Sequence, residues 1–144
     1  MLEIKPMAGA LGAEIYGLDL TRDLDQGDFL RVRKLLNEYQ VIFFREQAIN
    51  PKNMKALALS FGPVQTHPAY ETVVGFPEIT ILESTADKPT KIEAWHTDMT
   101  FRDHPPMATM LKSDIIPEKG GDTLWSSMTA AYEALSFHMQ KFLE

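Results

Sequence analysis

The most informative stretch of the sequence is residues 94–101, which read AWHTDMTF. Bulky and polar side chains alternate along it, and this alternation predicts a β-strand over residues 95–101. Residues two apart on a strand project from the same face, so His96 and Asp98 are predicted to point to one side. An imidazole nitrogen and a carboxylate oxygen placed in this way can reach one metal ion. The stretch is therefore a candidate metal site.

A His-x-Asp pair has two interpretations. In the first, His96 hydrogen-bonds locally and Asp98 caps a turn, and for an isolated pair this is the simpler explanation. In the second, both residues are ligands, because two histidines and one carboxylate form the facial triad of non-haem Fe(II) oxygenases. Three protein ligands on one face leave three positions open, which can take a bidentate 2-oxo acid and O2. A further motif is needed to choose between these interpretations.

A second motif, GGDTLW at residues 120–125, follows at a fixed distance, since 123 − 98 = 25 residues separate Asp98 from Thr123. The two motifs together resemble those of the taurine dioxygenase family. The resemblance runs over nearly the whole chain. The other segments that carry it are residues 11–17, 41–45, 61–63, 67–70, 105–106 and 130–135.

The resemblance implies a double-stranded β-helix (jelly-roll) core with flanking helices, which is an α+β fold. It also implies Fe(II) as cofactor, with 2-oxoglutarate and O2 as cosubstrates. In this family 2-oxoglutarate is decarboxylated to succinate while an unactivated C–H bond of a small substrate is hydroxylated. With taurine, the hydroxylated product breaks down to sulfite and an aldehyde. A small anionic organosulfonate such as taurine is therefore the expected substrate.

The resemblance also implies the roles of individual residues. His96 and Asp98 match iron ligands, and Thr123 matches the threonine whose hydroxyl contacts the distal carboxylate of 2-oxoglutarate. The third iron ligand, a histidine, and the arginine that is the main counter-charge for 2-oxoglutarate are expected beyond residue 144. Residues 1–144 are thus expected to form the N-terminal part of one dioxygenase domain. Alone, this part is expected to be inactive, to bind iron weakly and to fold poorly.

The substrate pocket is expected to include His67 and Tyr70, which match residues near the sulfonate and the amine of taurine. Met99 matches a position that offers its backbone N–H to the sulfonate. Ile92 stands where the taurine enzyme has a polar amide that helps to hold the amine. Because isoleucine cannot hydrogen-bond, an alkyl sulfate ester or another anion with a longer apolar body is an alternative substrate.

Simpler structural explanations exist for several of these residues. His67 is also explained as a loop histidine before a proline, and Thr123 as a β-branched strand residue. Trp95 and Trp125 are expected to pack in the core, with the indole N–H groups satisfied. Two other functions remain open for the whole protein. One is a non-catalytic domain that retains the fold, and the other is a zinc-dependent hydrolase, although a hydrolase has no use for a 2-oxo acid site.

Local signals predict the regular elements. The first predicted helix rests on apolar residues at helical spacing, and the second on Asn50-Pro51, a side-chain cap followed by proline. Helices are predicted over residues 25–39, from 50–51 to 62–63, and as one or two helices over 128–143. Strands are predicted over residues 2–4, 13–18, 41–44, 79–82, 95–101, 108–111 and 123–125.

The composition excludes several classes of protein. The chain has 144 residues, a net charge of −6 and no cysteine, so disulfides, thiolate metal sites and a cysteine nucleophile are excluded. Without a run of basic residues a nucleic-acid partner is not expected. Neither a signal peptide nor an apolar stretch long enough to cross a bilayer is found, so no membrane partner and a cytoplasmic location are expected. The family resemblance suggests a homo-oligomer.

Overall fold

The computed structural model describes residues 2–67, 70–90, 92 and 94–144. They belong to two compact units: residues 2–19, 25–47 and 113–144 lie in the first, and 20–24 with the described part of 48–112 in the second. The elements in chain order are β1 (Glu3–Pro6), β2 (Ala13–Tyr16), α1 (Gln26–Tyr39), β3 (Ile42–Phe43), α2 (Pro51–Phe61), β4 (Thr72–Val73), β5 (Phe76–Thr80), α3 (Met128–Glu133) and α4 (Phe137–Leu143).

The first unit is built on a three-stranded sheet of order β1-β2-β3. β1 and β2 are antiparallel, with Glu3 opposite Tyr16, whereas β2 and β3 are parallel. The buried apolar side chains of this unit come from β2, the residue Leu18 after it and α1, and they are Ala13, Ile15, Leu18, Val32 and Leu35. Burying these apolar groups against one another supplies the main favourable free energy of the unit.

Glu14 of β2 forms a hydrogen-bonded network with Tyr16 and Arg45 on this sheet. The two carboxylate oxygens of Glu14 accept hydrogen bonds from Tyr16 Oη at 2.6 Å and Arg45 Nε at 2.8 Å. These two bonds, Tyr16 first and Arg45 second, lower the pKa of Glu14 below its usual value of 4.5. This network connects Arg45, two residues after the end of β3, to the middle strand β2.

The second unit combines α2 with the antiparallel pair β4-β5. α2 starts where Asn50 Oδ1 accepts a hydrogen bond from Asn53 N at 2.9 Å and where proline occupies the first turn. The helix ends at Gly62. It packs against β5, and Lys55 Nζ lies 2.6 Å from the nearly buried Glu78 Oε1.

The helices follow the predictions closely. α1 starts at the capping residue Asp25, α2 lies between Asn50 and Gly62, and the predicted helix over residues 128–143 is two helices separated by the cap Ser136. Helices and open sheets together confirm the α+β class. Among the described residues, no helix combines the length and apolar character needed to cross a bilayer.

The strand predictions are less accurate. The strands predicted over residues 2–4, 13–18, 41–44 and 79–82 exist, but their bounds are shifted or shorter. The predictions over 95–101, 108–111 and 123–125 are wrong, because those residues form turns and irregular extended segments. Side-chain alternation reports only which faces are apolar, whereas a strand also needs a neighbour that completes its backbone hydrogen bonds.

Candidate metal centre

The predicted strand around the His-x-Asp pair is replaced by a turn. Residues 98–101 turn, and Arg102 N donates a hydrogen bond to Met99 O at 3.2 Å. Met99 lies in the left-handed region with φ of 57°, which a non-glycine residue seldom adopts. A residue with this φ cannot continue a strand, so the chain reverses immediately after Asp98.

His96 and Asp98 nevertheless meet, in an irregular segment that leads into the turn instead of along a strand. His96 Nε2 lies 3.2 Å from Asp98 Oδ1, and about half of each side chain is exposed, 54% and 48%. The other ring nitrogen, Nδ1, is 2.9 Å from Ala94 O. A carbonyl can only accept, so Nδ1 carries a proton and donates it.

The hydrogen bond to Ala94 O determines what Nε2 can do. In a neutral imidazole with its proton on Nδ1, Nε2 presents a lone pair. That lone pair faces a carboxylate oxygen, and the two atoms repel each other unless a positive charge lies between them. Either a proton on Nε2 or a metal cation supplies that charge. Two donors about 2.1 Å from one ion and at right angles are about 3.0 Å apart, so the 3.2 Å separation of these atoms fits a shared metal.

The second oxygen of Asp98 is also held. Thr109 Oγ1 donates a hydrogen bond to Asp98 Oδ2 at 2.9 Å, across 11 residues of sequence. Each oxygen of the carboxylate therefore has its own direction, Oδ1 toward His96 and Oδ2 toward Thr109. Sequence reasoning missed Thr109, because nothing in its spacing indicates that the chain returns to Asp98.

The local contacts fit both interpretations of the pair. His96 bonds to a nearby carbonyl and Asp98 starts a turn, as the purely structural interpretation expects. Within the described part of the chain no group of three or more His, Asp or Glu side chains could hold a metal. The pair thus offers two donors, the number that the sequence predicts for these residues.

The predicted pocket residues His67 and Tyr70 also contact each other, with ring centroids 4.7 Å apart at an angle of 47°. His67 is partly buried and Tyr70 is exposed. Both belong to the same unit as the His-x-Asp turn. Pro68 and Ala69, between them, lie outside the described residues.

Two hydrogen bonds join the chain just before His67 to the chain just after the turn. Arg102 Nη2 donates to Thr66 O at 2.9 Å, and Gln65 Nε2 donates to His104 O at 3.0 Å. We call this pair of bonds the 65–104 clamp. It connects the segment that carries His67 to the segment that carries the His-x-Asp pair, and neither donor was singled out from the sequence.

Thr123 lies in the other unit, in an exposed extended segment. The double glycine before it turns the chain, because Gly120 and Gly121 have φ of 76° and 72°, in the region that side chains disfavour. Two residues later, Trp125 packs edge-on against Phe43 of β3 with centroids 5.2 Å apart. Thr123 is thus not the β-branched strand residue that the structural explanation expected.

The two tryptophans differ from their expected role. Trp95 is 70% exposed, so the prediction that it packs in the core is wrong for the described structure. Trp125 packs on Phe43 but stays 43% exposed. His104 and His138 are exposed.

Comparison with known proteins identifies the family of the chain. The model of the family described as taurine catabolism dioxygenase TauD, TfdA family matches residues 3–144. The chain belongs to this family. The TauD, TfdA resemblance inferred from the two motifs is thereby confirmed over nearly the full sequence.

Relatives of this TauD, TfdA chain include two curated proteins and a solved structure. It is 35% identical to an alkylsulfatase of Acinetobacter baylyi, covering 99% of this chain and 45% of that protein. It is 35% identical to an alpha-ketoglutarate-dependent sulfate ester dioxygenase of Pseudomonas putida, covering 93% and 44%. A taurine dioxygenase structure from Burkholderia xenovorans matches with a TM-score of 0.84 and 37% identity, covering 99% and 50%. The chain spans about half the length of the curated relatives it matches.

Proposed function

We propose that the full-length protein is an Fe(II)- and 2-oxoglutarate-dependent dioxygenase of a small organosulfur anion. Residues 1–144 would form the N-terminal part of one jelly-roll domain, since the matched relatives are about twice as long. The observation that carries this proposal is the 3.2 Å approach of His96 Nε2 to Asp98 Oδ1, with the outer atoms of both groups hydrogen-bonded elsewhere.

His96 and Asp98 would hold the metal, with the third ligand supplied from beyond residue 144. Fe(II) bound there would supply the oxidation of a substrate C–H bond, coupled to decarboxylation of 2-oxoglutarate to succinate and CO2. Thr123 would donate its hydroxyl to the distal carboxylate of 2-oxoglutarate. The bond from His96 Nδ1 to Ala94 O would leave the Nε2 lone pair available to bind the ion, a usual arrangement for a histidine ligand.

The anionic head group of the substrate would lie against His67, Tyr70 and the backbone N–H of Met99. An imidazole N–H, a phenol O–H and a backbone N–H are all donors, and an SO3 group offers only acceptors. The positive φ of Met99 sets the direction of its peptide planes, so the turn itself orients that N–H. The 65–104 clamp would hold His67 in a fixed position relative to the turn at residues 98–101.

We propose an alkyl sulfate ester as the substrate. Ile92 offers no hydrogen bond to an amine and is 58% exposed, so an alkyl chain is the better partner for it. Two relatives at 35% identity are described as an alkylsulfatase and a sulfate ester dioxygenase. Hydroxylation of the carbon bonded to the ester oxygen gives a hemiacetal sulfate, which breaks its C–O bond to release an aldehyde and hydrogen sulfate.

Taurine is the second candidate, supported by the 37% identity to the taurine dioxygenase structure. Hydroxylation of its carbon next to sulfur would release sulfite and an aminoaldehyde. The two candidates differ in the bond broken, C–O for the ester and C–S for the sulfonate. They also differ in the group that must be recognised at the far end, which is an alkyl chain or an ammonium.

Succinate formation by the full-length protein tests the function. The assay contains Fe(II), 2-oxoglutarate and O2, with hexyl sulfate, hexanesulfonate or taurine. We expect hexyl sulfate to stimulate succinate formation most, and His96→Ala to abolish the stimulation. Greatest stimulation by taurine would overturn the ester assignment. No stimulation by any substrate would support a non-catalytic domain, and sulfate release from hexyl sulfate that is equal with and without O2 would support a hydrolase.

Ile92→Asn provides a matched specificity variant. It replaces the apolar side chain by the amide type found in the taurine enzyme, and we expect it to raise taurine turnover relative to hexyl sulfate turnover. A ratio that does not change would mean that Ile92 does not contact the substrate.

A further inference from the structure

Thr109 makes a contact that no sequence motif indicates. Its hydroxyl donates to Oδ2 of Asp98 at 2.9 Å, and the two residues are 11 apart in sequence. Oδ1 of the same carboxylate is the atom that lies 3.2 Å from His96 Nε2. The threonine thus holds the oxygen that does not face the histidine.

An aspartate side chain needs such a restraint to serve as a one-oxygen ligand. The torsion that rotates its carboxylate plane is broad, so an unrestrained carboxylate samples many orientations. Asp98 is 48% exposed, and solvent exposure leaves that rotation open. A hydrogen bond to one oxygen fixes the plane and with it the direction of the other oxygen.

The residue type at position 109 suits this task. Threonine is β-branched, so its χ1 torsion is stiff and its hydroxyl has few directions available. The bond to a carboxylate is charge-assisted, which makes it stronger than a bond between neutral groups. Thr109 also lies on a different stretch of chain from the turn, so the bond fixes Asp98 relative to the rest of the unit.

We propose that Thr109 is a positioning residue for the metal site, which orients Asp98 so that Oδ1 and His96 Nε2 meet one ion. The proposal rests on the proposed function of His96 and Asp98 as metal ligands. Outer hydrogen-bond partners of metal ligands alter affinity by about 10- to 100-fold when removed. Thr109 acts through Asp98 and does not contact the metal.

The test measures Mn(II) binding to the full-length protein by isothermal titration calorimetry, with 2-oxoglutarate present and O2 absent. Two pairs of variants differ only in the hydroxyl: wild type against Thr109→Val, and Thr109→Ser against Thr109→Ala. We expect Val and Ala to weaken Mn(II) binding about 10-fold or more, and Ser to bind nearly as wild type does. Thermal unfolding of each metal-free variant shows whether it is folded.

Thr90→Val is the control, because the Thr90 hydroxyl donates to Glu83 O at 3.2 Å instead of to a carboxylate. It should bind Mn(II) as wild type does. His96→Ala separates the two claims. If His96→Ala weakens binding but neither the Val nor the Ala variant does, Thr109 is not a positioning residue. If His96→Ala binds Mn(II) as wild type does, the proposed metal site itself fails.

Discussion

His96 Nε2 and Asp98 Oδ1 lie 3.2 Å apart at the start of a turn, and each side chain is hydrogen-bonded on its far side, to Ala94 O and to Thr109 Oγ1. Either a proton on Nε2 or a metal cation lies between these two atoms, and the proposed function requires the metal. Asp98→Asn keeps the shape of the side chain and removes its charge. We expect it to weaken Mn(II) binding to the full-length protein at least as much as Thr109→Val, by about 10-fold or more. Equal Mn(II) affinity in wild type and Asp98→Asn would show that the Asp98 carboxylate is not a metal ligand.

The turn itself contains strain that a substitution can reveal. Met99 has φ of 57°, and the left-handed region costs a non-glycine residue roughly 1–2 kcal/mol. Met99→Gly removes this strain, but glycine loses more conformational entropy on folding, which offsets part of the gain. We therefore expect Met99→Gly to leave the free energy of unfolding unchanged or to raise it by up to about 1 kcal/mol. Met99→Val should lower it, since a branched side chain fits this region worst.

Met107 is the matched control for Met99, because it is a methionine of the same unit and is not among the residues with positive φ. Urea unfolding of the full-length variants makes the comparison. Met107→Gly should lower the free energy of unfolding by about 0.5–1 kcal/mol. Equal losses for Met99→Gly and Met107→Gly would contradict the assigned backbone conformation.

The 65–104 clamp should affect substrate binding more than metal binding. Gln65→Glu is nearly isosteric but places a carboxylate against His104 O, and Arg102→Met removes the bond to Thr66 O. Each lost bond is worth about 0.5–1.5 kcal/mol, so we expect KM for the organosulfur substrate to rise about 2- to 10-fold.

Mn(II) affinity is the internal control for the clamp variants and should change little. Arg31→Met serves as the matched arginine variant, because Arg31 pairs with Asp28 on α1 in the other unit. An increase in KM for Arg31→Met as large as that for Arg102→Met would argue against a specific role for the clamp.

The Glu14 network predicts a pH dependence of stability. Hydrogen bonds from Tyr16 and Arg45 hold the pKa of Glu14 below 4.5 in the folded protein. A carboxyl whose folded pKa is depressed stabilises the protein fully above its unfolded pKa, and the effect is lost as pH falls through the folded pKa. The stability difference between wild type and Glu14→Gln should therefore shrink as the pH is lowered from 7 to below 4.

Tyr16→Phe checks the cause of that dependence. Its hydrogen bond is the largest contribution to the lowered pKa of Glu14, so its removal should move the acid transition to higher pH. Urea midpoints measured across this pH range give the comparison. If the difference between wild type and Glu14→Gln is the same at every pH, the charge of Glu14 does not contribute to stability.

The sequence predicts the local features of this fold well. α1 and α2 follow from apolar spacing and from the caps Asp25 and Asn50, which act within one turn of chain. Strands depend on a neighbour elsewhere in the chain, and this is why residues 95–101, 108–111 and 123–125 were assigned wrongly. Alternation of side chains does not report whether a pairing strand exists.

In the candidate site too, the sequence predicts the residues of the local motif but not the contacts between distant parts of the chain. The motifs and their spacing indicated His96 and Asp98, and the structure brings these two side chains together, although in an irregular segment before a turn that the alternating pattern did not predict. Thr109, Arg102 and Gln65 were not predicted, because their bonds span 11, 36 and 39 residues. Such bonds depend on the path of the folded chain, and no local signal encodes that path.

Anomalous X-ray scattering from a crystal of the full-length protein grown with Mn(II) and 2-oxoglutarate tests the central claim most directly. We predict a manganese peak about 2.1 Å from both His96 Nε2 and Asp98 Oδ1, with Thr109 still bonded to Asp98 Oδ2. A fully bound metal located elsewhere, or a direct His96–Asp98 hydrogen bond with no metal at saturating Mn(II), would contradict the assignment of these residues as ligands.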